Sequence, residues 1–156
     1  MGQLDSIVYK PTGAASTGDA YVRVVLDDAT LIVGHGIEGD TKGGGKGRHL
    51  NVMAAATVQA LGHEGFRAGP GRLGEQLIVS GVDIDALPPG ARLRIGPSAC
   101  IEVTEPRTGC GKFEQHQSKQ KEEAAGRLGM MARVVESGAI RTGDPVTVIG
   151  TAGAKL

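Results

Sequence analysis

A succession of short apolar runs, several with a two-residue period and most stopped by glycine, proline or a polar turn, limits the fold more than any other feature of this sequence. Residues 6–9 are apolar and close at Pro11-Thr12-Gly13, residues 21–26 alternate in part and end at Asp27-Asp28, and residues 31–33 run into glycines. Residues 76–79 meet a turn at Ser80-Gly81, and residues 92–95 alternate cleanly after Pro88-Pro89-Gly90. Residues 99–104, 131–136 and 145–149 continue the series, with Ser137-Gly138 as a further turn. Side chains alternate faces along a strand, so each run can cover one side of a sheet. Short strands at this spacing predict a barrel or sandwich. The 26 glycines in 156 residues are about twice the ordinary share and suit tight turns, bulges and close backbone approaches.

Two helices complete a mainly β chain with a few helices. Residues 54–63 are rich in Ala and Leu and stop before Gly65. Residues 118–128 carry Lys and Glu on a solvated face, with Ser118 as the cap. No repeat and no shift of composition divides the sequence, so residues 1–150 read as one domain and 151–156 as a tail. That length buries a core without disulfide staples.

Charge and composition narrow the function. The chain has 17 basic and 17 acidic residues, net charge zero, which argues against nucleic acid as a partner. Four aromatics, none of them Trp, make poor stacking platforms for single strands. No apolar run approaches the roughly 20 residues of a spanning helix, and the N-terminus lacks a signal-peptide pattern. A soluble, cytoplasmic protein without a membrane partner is expected. Cys100 and Cys110 flank one extended segment, whereas a disulfide needs Cα atoms within about 7 Å, so both are read as reduced thiols.

Three segments carry candidate chemistry. Between His35 and His49, glycines alternate with Lys42, Lys46 and Arg48. Backbone amides and cations in this pattern can wrap an anion, or the segment is a solvated loop. It is not a phosphate-binding P-loop, because Asp40 and Gly47 stand where that motif needs Gly and Ser or Thr. In Pro70-Gly71-Arg72-Leu73-Gly74-Glu75-Gln76-Leu77, a turn enters a strand. One of Glu75 and Gln76 then faces inward and needs a partner; a salt bridge on a barrel rim is the plainer reading. Last, residues 99–104 lead through Pro106-Arg107 to Gly109-Cys110-Gly111. Arg107 and Lys112 favour the Cys110 thiolate, which can react or bind a soft metal. His116, His49 or His35 could serve it as a base, but no local signature marks a Cys-His hydrolase. Cys110 with His116 is too few ligands for structural zinc. Cys100, inside the strand, reads as core.

Taken in order, these motifs resemble the MOSC family, named for the C-terminal domain of molybdenum-cofactor sulfurase. Gly36-Ile37-Glu38-Gly39-Asp40, then Arg48 before a Leu/Val/Met run, then Leu73-Gly74-Glu75-Gln76-Leu77, and last Glu105-Pro106-Arg107-Thr108-Gly109-Cys110 carry the match, and Gly143-Asp144-Pro145-Val146 also fits. The resemblance implies a MOSC-type β-barrel that binds the molybdenum cofactor, a molybdopterin. Carried over, Cys110 is the metal ligand and the catalytic residue. Arg48, Arg107 and Lys46 hold the cofactor's phosphate or pterin, and Glu75 and Gln76 meet the pterin edge. The sequence departs from the family's usual residues at Thr41-Lys42, at Gln76 in place of Asn, at Gly109 in place of Pro, and at Ala54-Ala55-Ala56.

The activity implied is a molybdenum-dependent oxidoreductase reducing small N-oxygenated compounds with electrons from a separate reductase. Two alternatives stay open. Cys110 would carry a persulfide in a sulfur carrier or a cofactor-handling protein. In a binding module without chemistry, the glycine-rich loop would only clamp a ligand.

Overall fold

The computed structural model describes residues 2–11, 23–41, 43–44, 49–109 and 111–151. The alternating runs are strands: β1 (Gly2–Tyr9), β2 (Val24–Leu26), β3 (Asp28–Ile32), β4 (Gly36–Ile37), β5 (Leu50–Ala54), β6 (Leu77–Ser80), β7 (Ala91–Ile95), β8 (Ala99–Pro106), β9 (Met130–Glu136), β10 (Gly138–Arg141) and β11 (Pro145–Thr151). The helices are α1 (Ala55–His63) and α2 (Gly111–Gln117).

The order β11-β7-β8-β9-β5-β6-β1, with β1 returning to β11 through Gly2 and Gln3, closes a seven-stranded barrel. Closure removes the unpaired edges that an open sheet would leave. The expected mainly β barrel with a few helices is therefore present. β2 adds to the far end of β1, and β10-β3-β4 forms a separate three-stranded sheet. Only β5 and β6 run parallel among the barrel pairs. Parallel neighbours need a long crossover, and α1 with the segment following it supplies one.

Alternation sorts the side chains into two apolar clusters. Leu50, Val52 and Ala54 of β5 and Leu77 and Val79 of β6 fill the barrel with Ile101, Val103 and Ala132. Met53 and Ile78 point outward and pack with Val58 and Leu61 of α1 and with Phe66, Leu73, Phe113 and Leu128. β5 is thus apolar on both faces, which hides its period in the sequence. Burying one such large side chain contributes about 1.5–3 kcal/mol.

The helix expected over residues 118–128 does not form. Ser118 adopts a left-handed φ of 55° just past the end of α2. Gln120 then starts only a 3-10 turn, Lys121–Ala124, with Glu123 completing its capping box. Gly126 and Gly129, at φ of 78° and 81°, lead away from helical backbone into β9. Ala124 and Leu128 are buried against Phe113 rather than spaced along one helix face. No helix of the described residues is long and apolar enough to cross a membrane. Residues 21–22 of one expected strand and 152–156 of the expected tail lie outside the described residues.

Candidate functional site

Among the candidate site residues, Glu75, Gln76 and Arg107 are described, while Lys46, Arg48 and Cys110 lie outside the described residues. The three described ones belong to a single hydrogen-bonded network at one end of the outer cluster. Arg107 follows the last residue of β8, and its N–H donates to the Gly129 carbonyl at 3.0 Å. Its Nη1 donates to Asn51 Oδ1 at 3.1 Å and to the Leu73 carbonyl. The guanidinium lies over the Phe113 ring, 5.8 Å from its centroid, within reach of a cation–π attraction. Among the described residues Nη2 and Nε have no hydrogen-bond partner, so one guanidinium edge remains for an anion.

Glu75 is fully buried, and its two oxygens accept the Gly71 N–H at 2.6 Å and the Leu73 N–H at 3.2 Å. The carboxylate therefore folds the 71–74 turn, whose Leu73 carbonyl receives Arg107. Burial pushes its pKa up; the bonds from the Gly71, Glu75 and Leu73 amides and the charge of Arg107 pull against that, and the net direction is upward.

Gln76 is also buried. Its Oε1 accepts the Asn51 N–H at 2.7 Å, and its Nε2 donates to Asp40 Oδ2 at 3.3 Å. Asp40 Oδ1 in turn accepts the Lys10 N–H at 3.2 Å. The aspartate of the Gly-Asp motif is thus a buried latch between β1 and the start of β6. Gly36 opens this motif at φ 119°, where a Cβ would stand 2.8 Å from the His49 carbonyl, so β4 and the backbone entering β5 touch directly.

Glu75 and Gln76 both have the partners that an inward polar residue requires. Losing either would strand a buried amide at about 1–3 kcal/mol. His49, one of the candidate bases, accepts the Val134 N–H on Nδ1 at 3.1 Å and extends the pairing of β5 with β9. Cys100 is buried in β8, as expected of a core thiol, and its pKa is raised by burial. His116, another of the candidate bases, lies in α2.

Sequence reasoning missed Asn51 and Gln117, and met Asp40 only as the end of a motif, without its role as a latch. Asn51 is a lone polar residue in an apolar run, which is the only local sign of it. Gln117, 4% exposed at the end of α2, bonds the Arg67 N–H and carbonyl and the Arg72 carbonyl. The stretch from Arg107 to Gln117 is therefore pinned at both ends to the 66–73 loop, with Phe113 stacked on Phe66 at 6.2 Å between centroids. Cys110 falls within that stretch of sequence.

No group of three or more His, Cys, Asp and Glu residues among the described ones could hold a metal ion. Among the described residues the chemistry of this network is that of an anion holder, with the open edge of Arg107 as its cation. Clefts of about 400 Å³ beside Asp28 and Arg141 and about 340 Å³ beside Val58 and His63 share no residue with this network.

A family model described as MOSC domain matches residues 40–147. The YuaD protein from Bacillus subtilis has a similar structure, with a TM-score of 0.75 at 20% identity, covering 94% of this chain and 94% of that one. YiiM from Geobacillus stearothermophilus gives 0.73 at 19% identity, over 96% of this chain and 75% of that one. YiiM from Escherichia coli gives 0.67 at 20%, over 97% and 70%. At these identities the likeness is one of fold. No curated protein matches the chain.

Proposed function

Because the chain belongs to the MOSC domain family, we propose that it binds the molybdenum cofactor through Cys110 and reduces small N-oxygenated compounds. The observation that carries this reading is the docked Arg107, three residues before Cys110, with one guanidinium edge open to an anion. Arg107, Lys46 and Arg48 hold the cofactor's phosphate or pterin, and the Cys110 thiolate is its protein ligand. Glu75 and Gln76 act from behind the cofactor: Glu75 shapes the turn that receives Arg107, and Gln76 holds the Asn51 backbone.

When bound, the cofactor supplies a two-electron centre that accepts oxygen. Removal of one oxygen from an N-hydroxylated base as water consumes two electrons and two protons, and a separate reductase delivers the electrons. The apolar packing of Phe66, Phe113 and Leu73 behind Arg107 keeps water from that side of its charge, which strengthens its hold on an anion.

The test is metal analysis of the chain purified from a host that makes the cofactor. Wild type is expected to carry molybdenum and Cys110→Ala to lose it. Wild type without metal, or a Cys110→Ala variant equally loaded, would overturn the reading. A persulfide on Cys110 of metal-free wild type would put a sulfur carrier in its place.

A further inference from the structure

We propose that Asn51 is a positioning residue that sets the Arg107 guanidinium for cofactor binding; the proposal rests on the function just given. Asn51 is 2% exposed on the outer face of β5, next to Met53 and the apolar cluster around Phe113. Burying an amide among such neighbours costs free energy unless every polar group is used. All of them are used here. Its N–H donates to Gln76 Oε1 at 2.7 Å, and its carbonyl accepts the Gln76 N–H at 3.0 Å. Nδ2 donates to the Leu128 carbonyl at 3.0 Å and, more weakly, to that of Met130 at 3.5 Å. Oδ1 accepts Arg107 Nη1 at 3.1 Å.

The side chain therefore divides its work. The Nδ2 end ties β5 to the segment entering β9, which is a structural task. The Oδ1 end holds a guanidinium that already has a second acceptor in Leu73 and a backbone anchor on Gly129. Two acceptors on one Nη1 fix the plane of the guanidinium, which decides where its Nη2 and Nε edge points. The Leu73 carbonyl and the Phe113 ring alone would hold that plane less firmly.

Two nearly isosteric variants separate the tasks. Asn51→Asp keeps an acceptor for Arg107 and loses the donors to Leu128 and Met130. Asn51→Leu loses both. A purely structural role makes the two variants alike; a positioning role makes only Asn51→Leu release Arg107. The full chain is made in a cofactor-producing host with ¹⁵N-labelled arginine. The guanidinium signals of Arg107, assigned by their loss in Arg107→Lys, are recorded together with molybdenum content. Wild type and Asn51→Asp are expected to show the separate Nη signals of a hindered guanidinium, and Asn51→Leu a single averaged one. Molybdenum affinity is expected to fall about tenfold or more in Asn51→Leu, as for residues that orient a metal site from behind it, and much less in Asn51→Asp. Equal molybdenum loss in both, or hindered signals in Asn51→Leu, overturns the proposal. Should Asn51→Leu not fold, Asn51→Ser removes the same acceptor. Wild type lacking molybdenum while the Arg107 signals follow the pattern would refute the cofactor reading and leave the positioning role standing.

Discussion

Gln117 holds Arg67 by both of its main-chain groups. Oε1 accepts the Arg67 N–H at 2.6 Å and Nε2 donates to the Arg67 carbonyl at 2.9 Å, so one side chain supplies the pairing that a neighbouring strand would give. The same Nε2 reaches the Arg72 carbonyl at 3.0 Å. Gln117→Leu keeps the bulk and strands these main-chain groups in a part-buried setting, at about 1 kcal/mol. Gln117→Glu keeps the acceptor alone. Urea unfolding is expected to rank stability as wild type, then Gln117→Glu, then Gln117→Leu. Equal midpoints for wild type and Gln117→Leu would mean that the loop holds itself.

Glu75 gives the fold a pH dependence of unusual sign for a carboxylate. Burial raises its pKa in the folded chain, so the folded state holds the proton more tightly than the unfolded one. Its contribution to stability is then greatest in acid, below the ordinary carboxyl value of about 4.3, and is lost as the pH rises through the raised folded value. Glu75→Gln removes this titration. Urea titrations at a series of pH values should show wild type losing ground to Glu75→Gln as the pH climbs, whatever their offset in acid. Glu102 supplies the contrast. Burial also pushes it up, but hydrogen bonds and charge from Arg133 and Arg92, at 2.8 and 3.0 Å, outweigh that and leave its pKa lowered. Its contribution is lost as the pH falls, so a Glu102→Gln comparison should run the other way. A flat difference for Glu75→Gln would remove the effect of burial from the account.

The barrel is largely legible in the sequence because a strand writes its buried face every second residue, as in Arg92-Leu93-Arg94-Ile95 of β7. β5 was hidden because it is covered on both sides, by the barrel interior and by α1, and so has no alternation to read. β10 begins at Gly138, within the turn that Ser137-Gly138 suggests, and is too short to show a period of its own. The charged spacing of residues 118–128 mimics a helix, but a helix also needs backbone that continues it, and the glycines there lead elsewhere. Within the candidate site, Arg107, Glu75 and Gln76 stand out through local motifs. Asn51 does not, because it meets Arg107 56 positions away in the chain, a pairing that arises only when β9 brings β5 and β8 to its two sides.

Gly126 and Gly129 share a left-handed φ, yet they should respond very differently to alanine. A Cβ at Gly126 would meet nothing within 4 Å, so Gly126→Ala costs only the backbone term, about 1–2 kcal/mol. A Cβ at Gly129 would lie 2.2 Å from the Val52 carbonyl oxygen and 2.8 Å from Met53 Cγ. It would push β9 away from β5 and disturb the carbonyl that anchors Arg107. Thermal unfolding should show a modest shift for Gly126→Ala and a severe loss, or no folded protein, for Gly129→Ala. Similar melting of the two would contradict the close approach of these backbones.

Cys100 lies beneath an ion pair. The cross-strand register places Arg94 of β7, Cys100 of β8 and Glu136 of β9 in one row, and Arg94 Nη2 meets Glu136 Oε2 at 2.8 Å across the thiol. Cys100 is 1% exposed. Burial raises its pKa, the charge of Arg94 pulls it down and that of Glu136 pushes it further up. A thiol kept protonated and covered is a poor nucleophile, so iodoacetamide should leave Cys100 unmodified in the folded chain and label it only on unfolding. Arg94→Ala takes away the cover. An ion pair this exposed stabilises the fold by about 1 kcal/mol at most, so the unfolding midpoint should barely move while labelling of Cys100, followed by peptide mass, becomes faster. Labelling at the wild-type rate in Arg94→Ala would show that the strands alone bury the thiol.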